Sequence, residues 1–185
     1  MKVLKIILIV VLFIVMIVVS VYAYYGGFTK IECKVSTQGG EIFVYEEMIG
    51  DYSQSSQVMD KVYNSLLNNE KIETFKGCGI YYDNPKYVER SKLRSELGCL
   101  LEERDTNKLT LLKNKYQIKT FPVGNYVVVE FPFKGFLSVM IGIMRVYPNI
   151  GEYVKTNGYS EKGAITEIYD VPNKKIIYRK EITNK

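Results

Sequence analysis

The chain has 185 residues, with 25 lysines and arginines against 20 aspartates and glutamates, a net charge of +5. It contains no histidine, which excludes Ser-His and Cys-His nucleophile pairs and histidine metal sites. The three cysteines, Cys33, Cys78 and Cys99, show no CxxC spacing, so neither a disulfide framework nor a zinc site is predicted and no metal or cofactor is expected. The basic residues are scattered rather than gathered in a stripe, so no nucleic-acid partner is expected.

The N-terminal segment differs from the rest of the chain because it is almost entirely apolar. It extends from Ile6 to Tyr25, and twenty helical residues span about 30 Å, the thickness of the hydrocarbon core of a bilayer. Its tyrosine-rich end, residues 22–25, is typical of the aromatic belt at a membrane interface. We therefore predict a transmembrane anchor over residues 1–25, followed by a linker over residues 26–40.

A cleaved signal peptide is the alternative interpretation of this segment. Lys2 and Lys5 would form its basic region, and the small residues around Ala23 would offer a cleavage site. The lysines on the two sides of the segment nearly balance, so the positive-inside rule does not choose an orientation. An exported or cell-envelope domain therefore stays open beside a cytosolic one.

The residues after the linker, 41–185, predict a single α+β domain. In the first half, 41–116, β-forming residues alternate with one stretch of helical periodicity. The predicted elements in chain order are a strand over 41–48, a helix over 58–67, strands over 77–82 and 97–101, and a small helix over 109–115.

The second half, 117–185, repeats this order. The pair Gly124-Asn125 suits a tight hairpin between its first two strands. The predicted elements are strands over 117–121 and 126–131, a helix with Leu137, Met140, Ile141 and Met144 on one apolar face and Pro148 as its stop, a short helix over 149–157, and strands over 164–169 and 176–182.

A short motif recurs in the two halves. Tyr-Asp-x-Pro occurs at Tyr82–Pro85 and again at Tyr169–Pro172, 87 residues apart, each time after a strand and a helix. A coincidental turn motif is one explanation, because Asp and Pro are common where strands end. The matching order of elements favours a duplication, in which two strand–helix–strand–strand units are related by a pseudo-two-fold axis and bury their helices against a joined sheet.

These segments resemble the GyrI-like effector-binding fold, a duplicated domain of the SHS2 type. Within that group the chain is similar to the testis-expressed ER-phagy receptor family, through Gly79–Pro85, Leu93–Gly98, Phe131–Lys155 and Glu167–Asp170. The hydrophobic anchor directly before the domain also matches. The resemblance implies a single-pass protein of the endoplasmic reticulum membrane with its domain in the cytosol.

The same resemblance implies an adaptor that recruits autophagy proteins through an aromatic-x-x-aliphatic motif in an acidic disordered tail. This sequence ends at Lys185, shortly after the last predicted strand, so we expect no such tail. Two other segments fit the bare motif, Tyr63–Leu66 in a predicted helix and Tyr126–Val129 in a predicted strand. We therefore predict a membrane-anchored binding or adaptor protein, with a small amphipathic or cationic molecule as the alternative partner.

GyrI-like domains resemble one another in a cleft between the two halves, lined by aromatics and often holding a carboxylate. By motif position that carboxylate is Glu167. Strand alternation places Glu167 on one face with Ile165 and Tyr169, and a carboxylate in such surroundings needs a cation or hydrogen bonds. An edge-strand glutamate facing water is the open alternative. Tyr45 and Tyr82 are further candidates for the lining of the cleft.

Two more glutamates end the strands that precede the helices, Glu46 in the first half and Glu130 in the second. If the halves align, we expect these residues to face each other across the pseudo-axis and contribute to ligand binding. Some GyrI-like proteins resemble hydrolases that pair a glutamate with a tryptophan, but this chain has no tryptophan. Glu167 could still act as a general base on water. The expectation is a protein that binds rather than an enzyme.

Overall fold

The computed structural model describes residues 2–183. Its N-terminal helix α1, Lys2–Tyr24, buries none of its side chains against the rest of the chain and is long and apolar enough to cross a membrane. A signal sequence passes the same test of length and composition. The stretch 26–40, expected as a linker, contains the first strand.

Up to residue 183, the domain after α1 contains eight strands and three α-helices. The two long helices each follow one of the longest strands. The elements are β1 (Lys34–Gln38), β2 (Ile42–Ile49), α2 (Ser55–Glu70), β3 (Lys76–Tyr81), β4 (Arg94–Leu100), α3 (Leu109–Leu112), β5 (Gln117–Thr120), β6 (Gly124–Pro132), α4 (Phe136–Thr156), β7 (Ile165–Asp170) and β8 (Lys175–Glu181).

The strands form one antiparallel sheet in the order β1-β6-β8-β7-β3-β4-β2-β5. Each half of the domain reads strand–helix–strand–strand, β2-α2-β3-β4 in the first and β6-α4-β7-β8 in the second. The halves join where β3 pairs with β7, and Gly79 lies opposite Glu167 at this junction. The predicted duplicated α+β fold is confirmed.

The two halves exchange their first strands, which the sequence did not predict. β1 precedes β2 in the chain but pairs with β6, while β5 precedes β6 but pairs with β2. The predicted hairpin at Gly124-Asn125 is therefore wrong, since both residues lie within β6 and pair with β1. The exchange buries apolar surface: Ile118 of β5 packs against a cluster that includes Val44 and Leu112 of the first half.

The connecting segments of the exchanged strands cross each other. The Gly40 N–H donates to the carbonyl of Phe121 at 2.9 Å, and the Phe121 N–H donates to the carbonyl of Glu41 at 3.0 Å. The crossing requires glycine at position 39, which has a φ of +114° and where a Cβ would come within 2.0 Å of the Pro122 carbonyl oxygen. These bonds tie the two halves together at a second point.

Helix α4 is longer than predicted, and it buries a different face from the predicted one. It continues through Pro148 to Thr156, rather than stopping and giving way to a second helix. Proline removes one N–H from the helix ladder, and the Asn149 side-chain amide donates to the Arg145 carbonyl at 2.7 Å in the same turn. The buried face consists of Ser138, Gly142, Val146, Ile150 and Val154, whereas Leu137, Met140 and Met144 of the predicted apolar face are exposed.

Both long helices cover the same face of the sheet, each over its own half. The α4 side packs on Val127, Val129, Phe131, Ile176 and Tyr178, and the α2 side packs on Val44 and Cys99. A third cluster, built around Phe43, Cys78 and Ile168, fills the opposite face. The arrangement leaves a space between the two helices, above the strands at the centre of the sheet.

Candidate functional site

A cleft of about 1760 Å³ lies between α2 and α4, with β3 and β7 beneath it. Met59 and Tyr63 of α2 line one wall, and Val139, Met140 and Ile143 of α4 line the other. The duplication creates this cleft, because each helix packs over its own half of the sheet. The exposed lining of the cleft is mostly apolar, and a concave, mostly apolar cavity is the usual form of a small-molecule site.

Glu167 lies at the base of this cleft and is only 1 % exposed. Its carboxylate accepts a hydrogen bond from the Tyr147 hydroxyl at 2.7 Å and a second one from the Tyr169 hydroxyl. Its strand β7 lies between β8 and β3, so a water-facing glutamate on an edge strand is excluded. Among residues 2–183, no lysine or arginine nitrogen forms an ion pair with Glu167.

Burial raises the pKa of the Glu167 carboxyl above its ordinary value near 4.5, and the hydrogen bonds from Tyr169 and Tyr147 oppose that rise. The effect of burial is the larger one. Burial, together with the neighbouring charge of Glu167, also raises the pKa of both tyrosine hydroxyls, which therefore stay protonated as donors. The site thus consists of one buried carboxyl with its donors held in place.

Two further tyrosines surround this carboxyl. The pKa of Tyr81 and that of Tyr178 are both raised, first by burial and then by the charge of Glu167. The Tyr178 ring packs edge-on against the Tyr147 ring with a centroid distance of 6.1 Å. Four tyrosines therefore lie near a single acidic group, and three of them, Tyr81, Tyr147 and Tyr169, line the cleft, which is a suitable environment for an apolar cation.

The structure brings together two of the six predicted site residues, Glu167 and Tyr169. Tyr82 borders the cleft, but its hydroxyl accepts a hydrogen bond from Lys119 at 3.4 Å. Tyr45 stacks on Phe43 with a centroid distance of 5.1 Å, and the Lys119 Nζ lies 5.0 Å from its ring centroid. Tyr45 and Tyr82 thus belong to a cluster around Lys119 on the other face of the sheet.

The two remaining candidates, Glu46 and Glu130, do not face each other. Glu46 binds Lys61 of α2 at 2.7 Å, and Glu130 binds Lys175 at 2.8 Å. Their strands, β2 and β6, are separated by four others in the sheet, which places them about 24 Å apart. The expectation failed because the symmetry axis passes between β3 and β7 rather than between the strands that precede the helices.

Sequence reasoning missed Tyr81 and Tyr147. Successive side chains of a strand alternate between faces, so Tyr81 points toward Glu167 and Tyr82 points away. The repeated motif therefore matches Tyr82 with Tyr169 although their side chains lie on opposite faces of the sheet. The duplication itself is real. Tyr147 follows Met140 and Met144 at helical spacing, a signal hidden by the expectation that the helix ends at Pro148.

The two segments that fit an aromatic-x-x-aliphatic motif both contribute buried residues to the core. Leu66 of Tyr63–Leu66 is fully buried on α2. In Tyr126–Val129 the aliphatic residue is fully buried and the tyrosine is 5 % exposed. Neither segment can be reached by a partner without unfolding part of the domain.

The chain belongs to the GyrI-like family, since the family model described as a GyrI-like small molecule binding domain matches residues 32–182. It is 31% identical to human Testis-expressed protein 264 over 86 residues, 43% of this chain and 28% of that protein. It is 27% identical to the mouse homolog over 117 residues, 60% of this chain and 36% of the homolog. The matches thus span about a third of these curated relatives.

Solved structures share the fold at low sequence identity. The C-terminal domain of EcmrR aligns with a TM-score of 0.56 at 11% identity, covering 84% of this chain and 99% of that domain. SAV2435, solved bound to tetraphenylphosphonium, aligns with a TM-score of 0.53 at 12% identity, covering 82% of this chain and 94% of that protein. The chain therefore carries the fold of a small-molecule binding domain.

Proposed function

We propose that this protein is a membrane-anchored receptor for lipophilic cations, which bind in the cleft between α2 and α4. The observation that carries the proposal is Glu167, an acidic side chain that is buried among aromatic rings and bonded only to neutral hydroxyls. Burial penalises its charge, and two hydroxyl donors offset that penalty only in part. A bound cation would supply the missing opposite charge.

The aromatic walls favour the same class of ligand. Each tyrosine face attracts a desolvated cation by about 0.5–2 kcal/mol, and the apolar walls favour the burial of hydrophobic substituents. SAV2435 was solved with tetraphenylphosphonium, a cation of this kind. Its shared fold supports the proposal, while the residues that would hold the ligand here are Glu167, Tyr147, Tyr169 and Tyr81.

Helix α1 is proposed to hold the domain at a membrane as a single-pass anchor. Its 23 residues exceed the number needed to span the hydrocarbon core, and none of them is buried in the domain. The resemblance to the testis-expressed ER-phagy receptor family implies the endoplasmic reticulum membrane, with the domain in the cytosol. Resistance of the full chain to alkaline carbonate extraction, together with mass spectrometry of its N-terminus, distinguishes an anchor from a cleaved signal sequence.

The test of ligand class compares two ions of the same shape and opposite charge. We expect the purified full chain in detergent to bind tetraphenylphosphonium but not tetraphenylborate in calorimetric titrations. Glu167→Gln should weaken phosphonium binding at least tenfold, about 1.4 kcal/mol, because the amide keeps the volume and loses the charge. Glu152→Gln, at an exposed position of α4 away from the cleft, should leave binding unchanged.

Equal binding of the phosphonium by wild type and Glu167→Gln would refute the proposed role of the carboxylate. Binding of both ions with equal affinity would show that only apolar burial matters. Hydrolysis by Glu167 has less support than binding, because each carboxylate oxygen already accepts a tyrosine hydroxyl, and these hydrogen bonds lower its affinity for a proton taken from water.

An adaptor role in organelle turnover is the second candidate, which the resemblance to the testis-expressed ER-phagy receptor family implies. Its partner would bind another surface, because Tyr63–Leu66 and Tyr126–Val129 contribute buried residues to the core. The full chain expressed in cells would then co-purify with autophagosome proteins. A clean negative result, with the chain correctly inserted in its membrane, would count against this role.

A further inference from the structure

The N-terminal half of α4 exposes an apolar surface. Phe136 is 75% exposed and Met144 is 73% exposed, with Leu137 and Met140 between them at 45% and 43%. No charged residue occurs in 136–144. We call Phe136, Leu137, Met140 and Met144 the α4 apolar surface. A cluster of this kind on one helix marks a contact with another apolar body.

This surface begins at the end of α1. The Lys134 Nζ donates to the Tyr24 carbonyl at 2.8 Å and lies 4.2 Å from the centroid of the Tyr24 ring. Lys134 precedes Phe136 by only two residues. Tyr24 is the last residue of the apolar helix, so the first turn of α4 lies where that helix would leave the bilayer.

A second contact fixes the connection between α1 and α4. The Arg145 guanidinium donates to the Gly26 carbonyl at 2.9 Å. Gly26 is buried, and a Cβ at its position would come within 2.9 Å of the Phe131 ring. The segment after α1 is therefore packed against the domain and not a free tether, which limits how far α4 can move from the membrane surface.

We propose that the α4 apolar surface lies in the interface of the same bilayer that α1 crosses. The inference rests on the proposed anchorage and adds a second, peripheral contact between the domain and lipid. Amphipathic helices bury their apolar side chains about 5–10 Å deep at the boundary between headgroups and acyl chains. The bilayer is favoured over a second copy of the chain because the surface is continuous with the end of α1.

The contact would also determine where the cleft opens. Phe136, Met140 and Met144 line one rim of the cleft as well as forming the α4 apolar surface. With that rim at the headgroup level, the cleft would open toward lipid, where lipophilic cations accumulate. The domain would then take its ligands from the membrane.

The absence of tryptophan from the chain allows a direct test. Full-length Phe136→Trp and Met144→Trp would each be reconstituted in phosphatidylcholine nanodiscs, with or without bromine in the acyl chains near the headgroups. The matched control is Val123→Trp, 71% exposed in the connection between β5 and β6, near the Gly39–Pro122 crossing. Circular dichroism melts would check that each variant is folded.

We expect brominated lipid to reduce the emission of Phe136→Trp and Met144→Trp by about half or more, with no loss for Val123→Trp. Two results would overturn the proposal. One is equal quenching of all three variants, and the other is no quenching at positions 136 and 144. If positions 136 and 144 are not quenched, the emission maxima show what the two tryptophans contact instead. Equal maxima in nanodiscs and in dilute detergent would indicate that they face solvent. A blue shift in nanodiscs that detergent removes would indicate that they contact a second copy of the chain. Failure to enter nanodiscs at all would instead refute the anchor.

Discussion

Gly79 of β3 lies directly opposite Glu167 of β7, at the point where the two halves of the sheet meet. The cleft thus contains one carboxylate at its centre, and the facing residue has no side chain. A Cβ at position 79 would come within 2.8 Å of the Met59 methyl group, so Met59 occupies part of the freed space. A second acidic residue there would repel Glu167 and raise its pKa further.

We predict that Glu167→Gln stabilises the protein at neutral pH while it weakens cation binding. Burial raises the pKa of the folded carboxyl above the unfolded value near 4.5, so ionising Glu167 opposes folding. The neutral amide removes this penalty and can still hydrogen-bond to Tyr147 and Tyr169. We expect the melting temperature at pH 7 to rise by about 2–4 °C, equivalent to about 1 kcal/mol.

The sign of this effect gives it a characteristic pH dependence. Between the unfolded and the folded pKa, the folded state retains a proton that the unfolded state has lost. This contribution to stability is therefore complete below the unfolded pKa near 4.5. It falls as pH rises from the unfolded pKa to the folded pKa, and it is constant above the folded pKa. Denaturant titrations across that window should show a larger fall for the wild type than for Glu167→Gln. Parallel curves for the two proteins would contradict the raised pKa.

Phenylalanine at position 147 should have the opposite effect. Tyr147→Phe removes the 2.7 Å hydrogen bond to Glu167 and leaves a buried acceptor without this partner. Such a loss typically costs about 1–3 kcal/mol. The matched control is Tyr153→Phe, on the same helix, whose hydroxyl makes no hydrogen bond to any residue in 2–183. Urea unfolding at pH 7 measures both variants, and equal losses would show that the Tyr147 hydroxyl does not support Glu167.

The sequence predicts the elements of this fold more successfully than their partners. Runs of β-forming residues locate strands such as β2 and β6, because β propensity depends on local residues. The exchange of β1 and β5 between the halves depends on contacts between distant residues, such as Ile118 with Leu112 and Val44. No local pattern contains that information, and Gly124-Asn125 therefore resembled a hairpin turn.

The candidate site was only partly predictable for the same kind of reason. The resemblance to GyrI-like domains assigns Glu167 by motif position, and the structure places it in the cleft. Its partner Tyr147 comes from a different element, and only the packing of α4 on the sheet brings the two together. The repeated motif points to Tyr82, whereas the residue near Glu167 is its neighbour Tyr81. A difference of one residue matters because neighbouring strand residues face opposite sides of the sheet.

Alanine at position 98 should destabilise the sheet strongly. A Cβ at Gly98 would lie 2.0 Å from the Val44 carbonyl oxygen, so β4 and β2 could not keep their present spacing. Because the clash is with backbone, we expect a loss of about 3 kcal/mol or more, at the upper end of overpacking effects. Gly124→Ala is the control, since no atom lies within 4 Å of its Cβ position. Thermal melts of both variants compare the two glycines, and a small effect at position 98 would show that the sheet can open locally.

Loss of the Arg145 guanidinium should loosen the junction between α1 and the domain. Arg145→Gln removes the 2.9 Å hydrogen bond to the Gly26 carbonyl, which is one of the contacts that order the segment after α1. The domain should remain folded, because Arg145 lies outside the buried face of α4.

The nearby Lys30 side chain is 84% exposed, so we expect trypsin to cleave there several times faster in nanodisc-bound Arg145→Gln than in wild type. Arg104→Gln, which removes a 3.4 Å bond to the Glu73 carbonyl in the first half, should leave this rate unchanged. Equal cleavage rates in all three proteins would show that the packing of Gly26 on Phe131 holds the segment without Arg145.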